Sequence, residues 1–266
     1  NHQKRMGATY RRAKDLLENG TIGDLQRIEV SAMNLFDSGS HWIDLCDFFL
    51  DGEPVEWVIA QIDYREENRW FGVHNENQAI AQWRYENGVY GLASMGTGSD
   101  AVESYVRLIG DDGIAEIGAA NGPPLRVRHG RTRGWKRIRT GENIWGDTKL
   151  GTVRAGISLI APRLPLLPDN PFQRPSHVDL AIEEVVAATR EGRESTLSGS
   201  NALRATEVIY AAWESARRRE RVALPLEIDD NPLVSMIEAG QLPVSESVVD
   251  GSQNGDVELQ SQSGTE

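Results

Sequence analysis

Cysteine is all but missing from this chain: Cys46 is the one thiol in 266 residues. A lone cysteine excludes an internal disulfide framework and fits a reducing compartment, so a cytoplasmic setting is expected. Cys46 lies inside the apolar run Leu45–Leu50, where a thiol reads as a small core group rather than a nucleophile. Long apolar runs are missing too. The most apolar loop, Ala155–Pro168, is broken by Pro162, Arg163 and Pro165, so no bilayer span and no membrane partner are expected. No segment has the pattern of a signal peptide. Positive charge stops at Arg221. Residues 222–266 carry nine acidic side chains, and residues 1–221 hold 28 basic against 31 acidic ones. The net charge of −12 therefore belongs mostly to the C-terminal end, and the body exerts no long-range pull on nucleic acid. From about Ser245 the chain runs in Ser, Gln, Gly and acids with no aromatic, the composition of a disordered tail.

A working dinucleotide fingerprint is also lacking. Gly96-Thr-Gly98-Ser-Asp-Ala101 matches Gly-x-Gly-x-x-Gly/Ala by letter. That motif functions only where a strand enters a helix whose N-terminal amides meet a pyrophosphate. Here Tyr105–Ile109 reads as a strand, so a loop between strands is expected. No metal site is expected either: His74 with Glu76 nearby gives two suitable donors and no third at convincing spacing. His177, before Asp179, opens a helix and reads as structural. Arg126–Arg139 holds seven basic residues and no acid, which allows phosphate or nucleic-acid binding. A solvated or subunit-facing hairpin is the better reading in a net acidic chain.

What is present is a run of hairpins flanked by helices. The chain opens at Asn1 within a helix pattern, with Tyr10, Ala13, Leu16 and Leu17 apolar and Asn19-Gly20 as its stop, the opening of a fragment or trimmed chain. Leu25–Met33 and Val55–Tyr64 read as strands. Gln78–Tyr85 and Val89–Met95 flank the turn Asn87-Gly88; Tyr105–Ile109 and Ile114–Ile117 flank Asp112-Gly113; Leu125–His129 and Trp135–Arg139 suggest a third hairpin. Five prolines make 160–175 an irregular loop. Helices are expected over Ser176–Arg190 and Ser200–Arg219, the second capped by Ser200, with Val222–Ile228 as a last strand. Adjacent hairpins argue for an α+β fold: an open, mainly antiparallel or mixed sheet with helices on one face.

The chemistry concentrates in Asp37-Ser-Gly-Ser-His41-Trp-Ile-Asp44. A helix starting near Ser38 or Ser40, with either serine as cap, puts His41 and Asp44 on one face and Asp37 at its mouth. A histidine held by carboxylates can exchange protons near neutral pH. The alternative is that Asp37 simply caps the helix and His41 is an ordinary, partly buried helix residue.

Several segments together resemble the Gfo/Idh/MocA oxidoreductases, which include glucose-fructose oxidoreductase and inositol dehydrogenase. Asn1-His-Gln-Lys-Arg5-Met is similar to the junction after the family's last nucleotide-domain strand, and Leu16-Leu-Glu-Asn-Gly20-Thr-Ile-Gly23 to the helix end that follows. Asp37-x-x-x-His41-x-x-Asp44 resembles its second-domain motif. Glu86-Asn-Gly88 and Gly110-Asp-Asp-Gly113 fall where members turn between strands. Ala202–Ala216 with Val222–Leu226 resembles the closing helix and strand, so the likeness covers about residues 1–228. It implies three parts: residues 1–20, a linker helix left from the nucleotide-binding domain; 21–230, the substrate-binding and oligomerisation domain; and 231–266, an acidic, disordered tail. It also implies hydride transfer between the CH–OH of a sugar, cyclitol or similar polyol and NAD or NADP. His41 would take or give the hydroxyl proton, Asp37 would orient the hydroxyl or the imidazole, Asp44 would support them, and Arg5 would lie near the cofactor. Members commonly pair subunits through the open sheet face, where Trp83, Tyr85, Tyr90 and Trp135 are expected, so a homo-oligomer is implied. The family's glycine-rich loop and Glu-Lys-Pro motif do not occur here, and the stretch between Gly23 and Asp37 is shorter than in many members. On those departures the chain by itself is expected to be inactive, and a non-catalytic assembly module is the competing reading.

Overall fold

The computed structural model describes residues 2–96, 104–146 and 175–242. Residue 1 and residues 97–103, 147–174 and 243–266, on which the expected loops after Gly96 and over 160–175 and most of the expected tail fall, lie outside the described residues. After a 3₁₀ turn, Gln3–Met6, comes helix α1, Ala8–Glu18, then strand β1, Leu25–Ala32, and helix α2, Gly39–Phe49. Strand β2, Val55–Asp63, is followed by a small ribbon of β3, Arg69–Trp70, and β4, Val73–His74. The long strands β5, Gln78–Tyr85, and β6, Tyr90–Gly96, lead to β7, Val106–Gly110, β8, Gly113–Ile117, β9, Leu125–His129, and β10, Lys136–Arg137. Helices α3, His177–Glu191, and α4, Gly199–Arg218, precede β11, Val222–Ala223, and α5, Pro232–Glu238.

Nine strands make one sheet in the order β10-β9-β8-β7-β1-β6-β5-β2-β11. Every pairing is antiparallel except β1 with β6. The three expected hairpins form at β5–β6, β7–β8 and β9–β10. Strand alternation gives the sheet two unlike faces. Ile28, Val30, Val58, Ala60, Ala81, Ala93, Val106, Leu108, Ala115 and Val127 point to the helices and are buried. They share one core with Tyr10 of α1, Ile43, Leu45 and Cys46 of α2, and Ile209, Ala212 and Trp213 of α4.

Trp83 and Tyr85, expected on the open face, point into this core instead. The reason is opposite them: a Cβ on Gly91 would meet the Trp83 ring at 1.9 Å, so that glycine makes the room for an inward indole. The open face carries Trp57, Ile59, Ile80, Tyr90 and Leu92, with Ile59 and Ile80 44% and 57% exposed. Toward the other edge it carries a ladder of alternating charge. Arg107 bridges Glu29 and Glu116, and Arg126 bonds Glu116 from the next strand.

Three further boundaries differ from expectation. Ser198, not Ser200, caps α4 by accepting from the Asn201 amide, while the Ser200 hydroxyl donates to Glu194. The last strand stops at Ala223, because Pro225 has no N–H and the Leu226 amide turns to Glu207. The stretch expected to be tail from residue 231 opens with α5, anchored by buried Leu233 and Met236 and capped by Asn231.

Candidate active site at the start of helix α2

The loop from β1 into α2 is held from both sides. The Ser38 hydroxyl accepts from the Met33 and Asn34 amides, and Asn34 Oδ1 accepts from the Ser38 amide at 2.9 Å. From the link between β4 and β5, Glu76 Oε1 accepts from the Leu35 amide and Asn75 Oδ1 from the Asp37 amide. Gly39 closes the arrangement, since a Cβ there would lie 2.3 Å from the Asn34 carbonyl oxygen. Ser38 takes the N-cap position without capping, its hydroxyl being turned back into the loop, and Ser40 donates to the Asp37 carbonyl. Neither serine is the cap that the spacing suggested.

Asp37 is half-buried at the mouth of α2, and burial raises its carboxyl above the usual range. Its side chain makes no ion pair or hydrogen bond among the described residues, His41 included. His41 sits one turn on. Its Nδ1 is buried without a partner, and the ring meets His2 edge-on at 5.4 Å. Burial, then the nearby His2 and Lys4, bring its pKa down to about 4. At neutral pH the imidazole is therefore the base form.

Asp44 shares the His41 face and is fully buried. Arg5 grips it with two bonds of 2.7 Å, from Nε and Nη2, and His2 Nδ1 lies 2.8 Å from the same carboxylate. Arg5 Nη2 also reaches Asp47 at 2.7 Å, and Asp47 is held in turn by Arg204 at 2.6 Å. The 3₁₀ turn is thus bolted to α2 by alternating charges. Arg5, expected near a cofactor, is directed into this network and holds α2 in place.

The other sequence candidates are engaged elsewhere. His74 pairs with the Tyr64 hydroxyl, and the Glu76 carboxylate accepts from Leu35 and from Trp213 Nε1, so the two do not face a common ligand. Among the described residues no group of three or more His, Cys, Asp or Glu is placed to hold a metal. His177 pairs with Glu142 at 3.0 Å. The Arg126 and Arg128 guanidiniums lie 4.4 and 5.2 Å from the Trp135 ring centre, and Arg126 is further tied to Glu116. Sequence reasoning missed Asn75, Glu76 and Lys4. Glu76 was visible only as a metal candidate, and Lys4 only as one cation in a basic opening.

Clefts of about 180, 740 and 460 Å³ open beside Arg204 and Tyr85, beside Asn34 and Trp70, and beside Trp135. Asp37 and His41 line none of them. A dinucleotide needs free amides where a strand enters a helix. The β1–α2 loop has that form, but its amides at Met33, Asn34, Leu35, Asp37 and Ser38 already donate to side chains. Asp37 adds a carboxylate there, so the described residues do not fit the body of NAD(P). Among them no helix is long and apolar enough to cross a membrane.

Solved structures share this fold. An oxidoreductase from Agrobacterium radiobacter, in complex with NAD+, L-tartaric acid and magnesium, is 18% identical with a TM-score of 0.56, over 84% of this chain and 64% of that one. An NAD-binding oxidoreductase from Klebsiella pneumoniae is 16% identical with a TM-score of 0.61, over 85% and 66%. The WlbA dehydrogenase from Bordetella pertussis, in complex with NADH and UDP-GlcNAcA, is 19% identical with a TM-score of 0.54, over 85% and 64%. This chain therefore spans about two thirds or less of the length of these structural relatives. A comparison with curated proteins gives no match. Residues 26–224 match the Gfo/Idh/MocA family as "Oxidoreductase family, C-terminal alpha/beta domain", and the chain belongs to that family.

Proposed function

We propose that this chain is the substrate-binding and proton-transferring part of an NAD(P)-dependent oxidoreductase acting on the CH–OH group of a sugar, cyclitol or related polyol. The observation that carries the reading is His41: an imidazole in its base form, with an unpartnered ring nitrogen, on a helix end clamped by buried ion pairs. A neutral imidazole has one donor and one acceptor nitrogen, which suits a group that takes a hydroxyl proton and returns it. Asp37, one turn away and without a partner, accepts from the same or a neighbouring hydroxyl and sets the substrate's orientation. Asp44 and Arg5 act by fixing α2, and Asn75 and Glu76 by fixing the loop that carries Asp37. The family membership and the relatives solved with NAD+ or NADH support NAD(P) as the hydride partner, held outside the described residues. The surface at His41 then needs a second wall to become a pocket, which agrees with a chain shorter than its relatives.

The test is kinetic. In a polypeptide joining this chain to a nucleotide-binding domain, His41→Ala lowers kcat about 10²–10⁴-fold, the usual worth of one acid/base group, and leaves NAD(P) affinity unchanged. An unchanged kcat would refute the role of His41. A second reading, a non-catalytic assembly module, rests on the open sheet face with its exposed Ile59 and Ile80. The two readings are compatible, because that face lies across the sheet from α2.

A further inference from the structure

We infer that Lys4 is an anchor for an anion, and that the site beside His41 takes a polyol carrying a carboxylate as well as the reacting hydroxyl. The inference rests on the placement of substrate at His41 proposed above. Lys4 is only 7% exposed, yet its ammonium meets no carboxylate and no hydrogen-bond acceptor among the described residues. The other cations set against α2 are paired: Arg5 with Asp44 and Asp47, Arg204 with Asp47, and Lys14 with Asp51. Two tryptophans stand in for an anion. The Lys4 nitrogen lies 4.4 Å from the Trp42 ring centre and 4.1 Å from that of Trp145. Indole faces attract a cation but offer no oxygen acceptor to the three N–H donors of an ammonium. The side chain is buried, but its nitrogen is not among the sealed, unpartnered atoms, so the donors reach the opening beside the rings, where a ligand oxygen can meet them.

The position is that of a substrate group. Residues 2–5 lie across the first turns of α2: His2 against His41 and Asp44, Arg5 against Asp44, and Lys4 over Trp42, the residue after His41. Beside Lys4 the wall is aromatic and partly open. Tyr105 stacks on Trp42 at 4.9 Å, and Tyr105 and Trp145 are 36% and 55% exposed, which offers flat surfaces to the carbon-bound hydrogens of a polyol. Burial holds the Lys4 pKa at about 8, so the group is charged at neutral pH. A single positive charge matches a carboxylate. A phosphate dianion would call for a second cation, and the neighbouring Arg5 is already committed to α2. The arrangement also couples binding to chemistry. Lys4 is one of the charges that depress His41. An anion on Lys4 offsets it and makes the imidazole a stronger base when substrate is present.

The probe is the His41 ring, followed by proton–carbon NMR in the whole chain. Gluconate, the neutral sorbitol of the same carbon skeleton, and sodium chloride at equal ionic strength are titrated separately. Gluconate is expected to shift the His41 resonances, to raise the pH midpoint of the ring, and to bind about 10- to 100-fold tighter than sorbitol, the range for a hydrogen bond to a charged group. Lys4→Met, which removes a buried charge at nearly constant volume, abolishes that preference, and Lys4→Arg keeps part of it. Gluconate and sorbitol binding equally, both moving His41, would overturn the anchor and leave the proposed function standing. Chloride reproducing the gluconate effect, or a preference that survives Lys4→Met, would overturn it as well. No response of His41 to either polyol would sink both inferences.

Discussion

At the scale of single residues, the decisive group is one that does no chemistry itself. Asp44 is fully buried and is the counter-charge of Arg5, with His2 Nδ1 against the same carboxylate. A buried ion pair adds little net stability when whole, but removing one partner strands the other. Asp44→Asn is therefore expected to destabilise the chain by about 3–5 kcal/mol, measured by denaturant unfolding. Replacing Arg5 and Asp44 together by Met and Leu recovers most of the loss. If the single variant costs as little as an exposed pair, below about 1 kcal/mol, the clamp does not hold α2. The spacing of Asp37, His41 and Asp44 was legible in the sequence, because it is local and helical. The partners were not. Arg5 stands 39 residues from Asp44, and nothing in the letters says that a guanidinium near the start of the chain turns into α2 rather than toward a cofactor. Lys4 was equally hidden, since a lysine in a basic opening reads as solvated until the fold surrounds it with Trp42 and Trp145.

At the scale of elements, the site depends on a short link between two strands. The link from β4 to β5 supplies Asn75 and Glu76, which take the amides of Asp37 and Leu35, and the same Glu76 carboxylate takes Trp213 of α4. Glu76→Leu leaves two buried donors unmet, each costing about 1–3 kcal/mol. The expected outcome is a loss of stability of that order, with faster hydrogen exchange at the Leu35 amide and unchanged exchange at Val58 in β2. Equal acceleration at both amides would mean that Glu76 supports the whole core and not the loop. Hairpins were readable because Asn87-Gly88 and Asp112-Gly113 signal turns between neighbours. The parallel pairing of β1 with β6 was not readable, because no local signal joins residues about 60 apart. Alternation showed that Trp83 and Tyr85 share a face but not which face is inner. Gly91, directly across from Trp83, was the available clue. Helix α5 was lost in an acidic context that reads as tail, though Asn231-Pro232 is a helix start.

At the scale of the molecule, the helices that share the core lie to one side among the described residues, and the opposite sheet face is divided. Ile59, Gln82 and Leu92 lie in register with Glu29, Arg107, Glu116 and Arg126, so an apolar half runs into a self-neutralised charge ladder. A flat apolar half of this kind favours a contact with a second copy. Sedimentation at micromolar concentration is expected to show a dimer or larger oligomer. Ile59→Glu with Ile80→Glu is expected to give a monomer with an unchanged circular dichroism spectrum. A monomeric parent chain would refute this.

The central place of β1 has a consequence for how the chain is made. Leu25–Ala32 is synthesised well before its partners, β6 and β7, the second ending at Gly110. At about 5–20 residues per second, the roughly 78 residues from Ala32 to Gly110 take roughly 4–16 s to synthesise. During that delay both edges of the strand expose unpaired amides and carbonyls to any other nascent chain. Arg27 and Glu29, on the side that later becomes the open face, put charge of both signs into the waiting strand, the usual guard against premature pairing. Those two side chains protect the protein before there is a sheet for them to decorate.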